Sequence, residues 1–321
     1  MLYTPTFSPP LLHIPEGFLH PVVSITGWVI AVACIGLALI KTRGQLGDKQ
    51  IPLMGVLAAF IFAAQALNFP VAGGTSGHLL GATLAAIIIG PWATVLIMAS
   101  VIGLQAVLFQ DGGLLPLGFN IVNMGILGAF TGHLTYQLIR RVMGQGRASL
   151  VVAGGVGAWI SVMLGAIATA VQLAVSGTSA LNLALPAMAG VHALIGIGEA
   201  LITVGALVFI RTTRPDLIQN AQAAPGTRSA GWVGIGLAIT LALTLISPLA
   251  NPNPDGLERV AEDQGFLNAA QGPSYTILPD YTVPFIQDSN LTTIVAVAFG
   301  TLVVFGIAYA IGRISRRGMT A

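Results

Sequence analysis

Long stretches without a charged side chain, punctuated by four tight groups of basic residues, constrain this chain more than any motif in it. Lys41, Arg43 and Lys49 form the first group and Arg140, Arg141 and Arg147 the second. Arg211, Arg214 and Arg228 form the third and Arg313, Arg316 and Arg317 the fourth, with Arg259 alone elsewhere. Between and around them lie apolar runs near 21–40, 51–68, 78–90, 91–110, 118–140, 150–176, 188–211, 231–250 and 291–312. Crossing about 30 Å of hydrocarbon takes roughly 20 such residues in a helix. With the amino terminus outside, nine spans place all four basic groups in the cytoplasm, and removing one span destroys that agreement. The expected fold is an all-α integral membrane protein of the cell (inner) membrane. About seven transmembrane helices are followed by a two-helix hairpin, the amino terminus is extracytoplasmic and the carboxyl terminus cytoplasmic. The run 78–90 is short and passes into 91–110 through Gly90-Pro91-Trp92, so a re-entrant segment is the alternative to two full crossings.

Hydrophobic residues make up 55% of the chain, charged residues 7%, and mean hydropathy is +0.86, all as a membrane solvent requires. The net charge of +2 is spent on topology rather than gathered in a patch, which argues against a nucleic-acid partner. The single cysteine, Cys34, excludes internal disulfides and thiolate metal clusters. No phosphate-binding G-x-x-x-x-G-K-[ST] loop occurs, so this chain does not hydrolyse ATP by that mechanism. The first span has no basic flank before it and reads as a retained helix rather than a cleaved signal.

Thr212 to Arg228 is polar and rich in helix breakers, which divides the chain into a unit at 1–211, a cytoplasmic linker at 212–229 and a hairpin at 230–321. The hairpin's outer loop, 251–290, carries Asp255, Glu258, Glu262, Asp263, Asp280 and Asp288 against one Arg259. Two spans have little core of their own, so the hairpin is expected to dock on the first unit or on a partner. It contains neither histidine nor cysteine, so it is expected to act on the first unit without ligating a late transition metal.

Asn68 to His78 (Asn-Phe-Pro-Val-Ala-Gly-Gly-Thr-Ser-Gly-His) is a glycine-rich polar loop between two apolar segments. Irregular backbone at membrane depth persists only against protein or a watery cavity, which makes this loop a ligand-site candidate. His13 precedes the first span on the same membrane face, so two imidazoles from remote parts of the sequence converge there. Such donors suit Ni, Co, Cu and Zn, and hydrogen-bonded interfacial histidines are the plainer alternative. Gln65, Asn68, Gln105, Asn120, Asn123 and Glu199 lie in or at spans, where polar groups face a cavity or a neighbouring helix. Asn120 with Asn123, and His192 with Glu199, share helix faces by spacing. A competing reading takes Gly74-Thr75-Ser76-Gly77 as the G-x-S-G of a rhomboid-like intramembrane protease, with Ser76 as nucleophile and His192 as base.

Several motifs, in order along the chain, resemble the CbiM/NikM family. They are His13 to Leu19 (His-Ile-Pro-Glu-Gly-Phe-Leu), Asn68 to Val71 with Gly73 to Gly81, Gly90-Pro91-Trp92, Phe109 to Gly113, Asn120 to Gly125, and His192 to Thr203. Asn253 to Arg259 contains Pro-Asp-Gly-Leu-Glu, which is similar to the motif of the small CbiN/NikN component, here on the same chain. The resemblance implies the substrate-specific component of an ATP-driven energy-coupling-factor importer for cobalt or nickel, not an enzyme. It implies no cofactor beyond the transported Co2+ or Ni2+. The implied partners are an integral coupling protein, two ATPase subunits, the metal ion and the lipid membrane. An ATP-independent secondary metal transporter is the remaining alternative.

In that family the chain begins Met-His, and the terminal amine, the histidine's amide nitrogen, its imidazole and the histidine of the glycine-rich loop form a square-planar four-nitrogen site. The resemblance carries this over to His13 and His78, with Glu16, Asn68 and Ser76 as groups supporting the imidazoles. Here Leu12 stands where the family has its initiating methionine, and Met1 to Leu11 precede it. Initiation at a leucine codon, or proteolysis freeing the amine of Leu12, restores the site. A retained extension leaves it altered.

Overall fold

The computed structural model describes residues 13–218, 231–272 and 275–317, so Leu12 and most of the linker lie outside the described residues. Helix α1 (Pro21–Thr42) starts where His20 caps the amide of Val22 and Pro21 takes the first turn, a position at which proline's missing N–H costs nothing. Lys41 in its last turn complements the helix dipole. Helix α2 (Gln50–Gln65) leads into a two-stranded hairpin, β1 (Phe69–Val71) and β2 (Thr75–Gly77), paired antiparallel with Pro70 opposite Ser76.

Helix α3 (Ala82–Ile89) follows, and Gly90 at φ 88° breaks it from α4 (Pro91–Leu104). Eight residues make about 12 Å of helix, well short of a crossing. The run 78–90 is therefore no independent span but a short helix buried inside the bundle. α4 continues as a π-helical stretch, Gln105–Phe109. The stretch read as the fifth span is built of α5 (Leu117–Asn120), a π-helical segment Ile121–Leu127 and α6 (Gly128–Met143). Helices α7 (Arg147–Val175) and α8 (Leu181–Thr213) complete the first unit.

The hairpin consists of α9 (Gly231–Thr244), α10 (Gly256–Asp263) in the connecting loop and α11 (Ser289–Arg317). Among the described residues five helices are long and apolar enough to cross a membrane: α1, α4 with its π extension, α7, α8 and α11; α2 and α9 are shorter apolar helices. The protein is thus a mostly helical, multi-pass membrane protein.

Polarity is distributed as lipid demands. α1 turns Val22, Ile25, Val29, Val32 and Ile40 outward, whereas Gln65, Gln105, Asn120, Asn123 and Glu199 are buried. Apolar residues facing outward against hydrocarbon cost nothing, and the polar groups find partners only inside. α11 packs along α2 and against α4, closely enough that a side chain at Gly300 would overlap the rings of Phe62 and Phe109. At the far end Thr42 and Ser315 share a hydrogen bond of 2.8 Å, and Arg316 pairs with Asp48. The hairpin is therefore docked on the first unit along its length. At the opposite end of the bundle its loop meets β2, α8 and the segment before α1.

Candidate metal centre

His13 lies at that end, 2% exposed, in a non-helical segment that Asn120 grips from both sides. The Ile14 amide donates to Asn120 Oδ1 at 3.0 Å, and Asn120 Nδ2 donates to the Ile14 carbonyl at 3.1 Å. The Gly113 amide donates to that same carbonyl at 3.0 Å. Gly112, at φ 88°, packs so tightly that a Cβ there would sit 2.8 Å from that of His13. Both the backbone angle and the space demand glycine at this position.

The His13 ring is oriented by one residue. Its Nδ1–H donates to the backbone carbonyl of Asp111 at 3.1 Å, and Asp111 Oδ1 lies equally close to the same nitrogen as a charge contact off the hydrogen-bond axis. Burial alone pulls the imidazole toward its neutral form, but the Asp111 carboxylate and its hydrogen bonds outweigh that and hold the pKa above its ordinary 6.5. Burial likewise opposes ionisation of Asp111, yet His13 and a hydrogen bond from Tyr281 keep its pKa below the ordinary value. With Nδ1 occupied, Nε2 carries the lone pair, and it is buried without a hydrogen-bond partner among the described residues. A buried acceptor left without a partner costs about 1–3 kcal/mol.

His78 follows β2, and its ring centroid lies 5.7 Å from that of His13 in an edge-on arrangement. Its Nδ1–H donates to the Leu79 carbonyl at 3.2 Å, which again makes Nε2 the lone-pair nitrogen. The two amides that follow are fixed by Glu199 from α8: Oε2 accepts from Leu80 at 2.7 Å and Oε1 from Gly81 at 2.9 Å. The one acid embedded in a span therefore anchors the loop that presents His78.

Both imidazoles border a cavity of about 80 Å³ that extends past Asn120, Asn123, Met124 and Thr169 toward Met188 and His192. At roughly 30 Å³ per water, it has room for an ion and one or two waters. The hairpin supplies part of its wall through Asp255, Gly256 and Leu257. Asp255 caps α10 by accepting from the Glu258 amide at 2.7 Å, and burial pushes its pKa up to about 7. Gly256 lies so close to His192 that a Cβ would stand 2.8 Å from the ring. Among the described residues, no three His, Cys, Asp or Glu side chains gather closely enough to hold an ion by themselves.

The three supporting residues expected from the sequence have other partners. Glu16 Oε1 accepts from the Leu115 amide at 2.9 Å, tying the amino-terminal segment to the 111–116 loop. The Asn68 carbonyl accepts from Asn251 at 2.9 Å. Ser76 Oγ donates to the Asn253 carbonyl at 2.8 Å, and its amide donates to Pro254. None of the three is hydrogen-bonded to an imidazole; Asn68 and Ser76 hold the hairpin instead. This also disposes of the protease geometry. The hydroxyl of Ser76 is committed to a backbone carbonyl, and His192 Nδ1 to the Met188 carbonyl at 2.8 Å, with no bond between the two side chains. Asp111, Glu199 in its anchoring role and Asp255 were not assigned to the site from sequence. The acid followed by two glycines at the end of a span, Asp111-Gly112-Gly113, was the available signal.

Fold and cavity define a multi-pass membrane protein with a histidine-lined pocket closed in part by a fused hairpin. Residues 13–217 match the family described as the cobalt uptake substrate-specific transmembrane region, CbiM, and residues 228–317 match the PDGLE domain. The chain belongs to the CbiM family, with a PDGLE domain on the same polypeptide. It is 36% identical to a putative fused nickel transport protein NikMN of Archaeoglobus fulgidus, over 95% of this chain and 99% of that one. It is 34% identical to the cobalt transport protein CbiM of Sorangium cellulosum, over 67% of this chain and 99% of that one. A crystal structure described as a truncated transition metal transporter superposes with a TM-score of 0.55 at 33% identity, covering 62% of this chain and 98% of that one.

Proposed function

We propose that this protein is the substrate-specific component of an ATP-driven importer of cobalt or nickel ions. The observation that carries the reading is the pair of facing imidazoles. The His13 ring is buried beside Asp111, its Nε2 has no hydrogen-bond partner among the described residues, and His78 stands beside it on a loop anchored by Glu199. Both rings are held in place by an Nδ1 bond to a carbonyl. Two imidazoles do not complete a site. The family's four-nitrogen plane adds the His13 amide nitrogen and, if the mature chain begins at Leu12, its terminal amine; that amide chelates only together with Nδ1 of the same ring, so on loading His13 would exchange its bond to Asp111 for the ion. A four-nitrogen plane of that kind suits Ni(II) and Co(II) and discriminates against the oxygen-seeking Mg and Ca.

The family and the transport names of the relatives support a metal cargo. The full-length relative with the same fused architecture is named for nickel, which favours nickel of the two. In this reading the site opens on the extracytoplasmic side, and the four basic groups face an integral coupling protein and two ATPase subunits on the other. The hairpin covers the site after loading. Metal analysis of the purified full chain tests the proposal: wild type should carry Ni or Co, and His78→Ala should not. Equal metal content in the two would overturn it.

A further inference from the structure

A third imidazole, to which the four-nitrogen plane gives no part, stands on the wall of the same cavity: His192, well inside α8. Its Nδ1–H donates to the Met188 carbonyl one turn back at 2.8 Å, so Nε2 carries the lone pair. The side of α8 that carries it also builds the His78 loop, since residues three and seven positions on share a helix face. Ile195 packs so closely under Gly77 that a Cβ on that glycine would stand 2.8 Å from it, and Glu199 takes the amides of Leu80 and Gly81. Beyond His13 and His78, the other polar side chains on the cavity wall are committed. Asn120 holds Ile14 with both of its side-chain atoms, and Asn123 exchanges hydrogen bonds with Gln172. Thr169 donates to the Gly165 carbonyl, and Asp255 caps α10. His192 has a nitrogen to offer.

Space says what that nitrogen is needed for. The cavity has room for an ion and one or two waters, whereas an aquated divalent ion of this kind carries about six oxygens in its octahedral shell. The ion therefore sheds most of its water before it reaches the plane, and protein donors have to replace what is lost. The hairpin closes the cavity at this same point: a Cβ on Gly256 would stand 2.8 Å from His192 Cε1 and 3.1 Å from Nε2. A station on such a path has to bind well enough to take the ion and loosely enough to release it. One imidazole meets both conditions. It is a donor that Ni and Co accept, and among the described residues no three His, Cys, Asp or Glu side chains gather there to trap the ion.

We propose that His192 is a transit ligand: it receives the partly stripped ion in the cavity, passes it to His78 and His13, and takes no place in the loaded plane. The neutral imidazole replaces one water and leaves unchanged, so the step needs no proton and no electron from elsewhere. The inference rests on the reading of His13 and His78 as metal ligands. A transit ligand lowers a barrier that is crossed in both directions, so it changes rates and leaves the equilibrium alone. The test mixes Ni(II) with the purified, metal-stripped full chain in a stopped-flow instrument, follows the d–d absorption of the bound ion, and measures its release into a chelator. His192→Ala should slow loading and release by the same factor, about tenfold or about 1.4 kcal/mol of barrier, with wild-type affinity and spectrum. Unchanged rates would overturn the proposal. So would a weakened affinity or a shifted band, which would make His192 part of the loaded site or of its scaffold. If His192→Ala does not fold, His192→Met and His192→Leu carry the test: the two replacements have nearly the same volume, and only the first keeps a lone pair for a late metal. His192→Met should load faster than His192→Leu, and equal rates would overturn the proposal. His13→Ala is the separate control: wild-type affinity there removes the ligand reading itself, whereas a failure confined to the His192 variants leaves that reading standing.

Discussion

The two parts of this chain meet at one cavity but contribute to it in different currencies. The first unit presents nitrogen: His13, His78 and His192 all border the cavity. The hairpin presents Asp255, a glycine and a leucine to the wall, with Tyr281 behind Asp111. One region offers donors that a late transition metal prefers, and the other shapes and holds them. The same separation appears in the hydrogen bonds between them. Asn68, Ser76 and Glu16 all meet backbone groups of the hairpin, Ser76 through its hydroxyl as well as its amide.

The sharpest way to break this comparison is to remove a donor. His78→Ala should abolish high-affinity metal binding and uptake while thermal unfolding of the metal-free protein stays near wild type. Deleting residues 230–321 should come next, with uptake lost and affinity of the folded remainder for Ni(II) lowered about tenfold rather than abolished. Complete loss of binding in a folded truncated protein would mean that the hairpin carries a ligand.

Glu199→Gln is expected to act through His78. A neutral amide has one acceptor oxygen for two amides, so either the Leu80 or the Gly81 N–H goes unpaired in the interior. That costs about 1–3 kcal/mol in thermal or denaturant unfolding and loosens metal binding alongside. The pH dependence should be gentler. Protons compete with metal for the His13 ring, and because Asp111 raises the pKa of His13, Ni(II) affinity should begin to fall above the ordinary 6.5 as the pH is lowered. Asp111→Asn removes that charge, so the midpoint should move to lower pH even as the affinity at high pH drops; a midpoint unmoved by the substitution would break the assignment. Ser76→Ala is expected to be the mildest. It removes one hydroxyl bond to Asn253, worth about 0.5–1.5 kcal/mol, and should leave uptake nearly intact.

Much of this was legible in the sequence because it depends on local composition. Apolar runs reported the helices, and a histidine at the end of a glycine-rich loop reported a site. The boundary at Gly90-Pro91 was visible as a helix break, but not that the residues before it form only eight residues of buried helix. The π-helical turns leave no compositional trace. Asp111 was hidden for a different reason: its partner His13 is 98 residues away, and no periodicity links them. Tyr281 reads as an ordinary loop tyrosine until the fold stacks it on Phe109. Ser76 lay in a motif whose chemistry depends on what its hydroxyl faces, and it faces a carbonyl of the hairpin.

The docking of the PDGLE segment on β2 runs through a handful of backbone bonds, Asn251 to Asn68 and Ser76 to Pro254 among them. They add to the packing of α11 along α2 and α4, which carries most of the docking. On one polypeptide the encounter is unimolecular, at an effective concentration in the millimolar range for short flexible connections. Covalent fusion thus makes closure independent of expression level: metal affinity should not vary with protein concentration in the intact chain, and should do so once the chain is cut between residues 218 and 231.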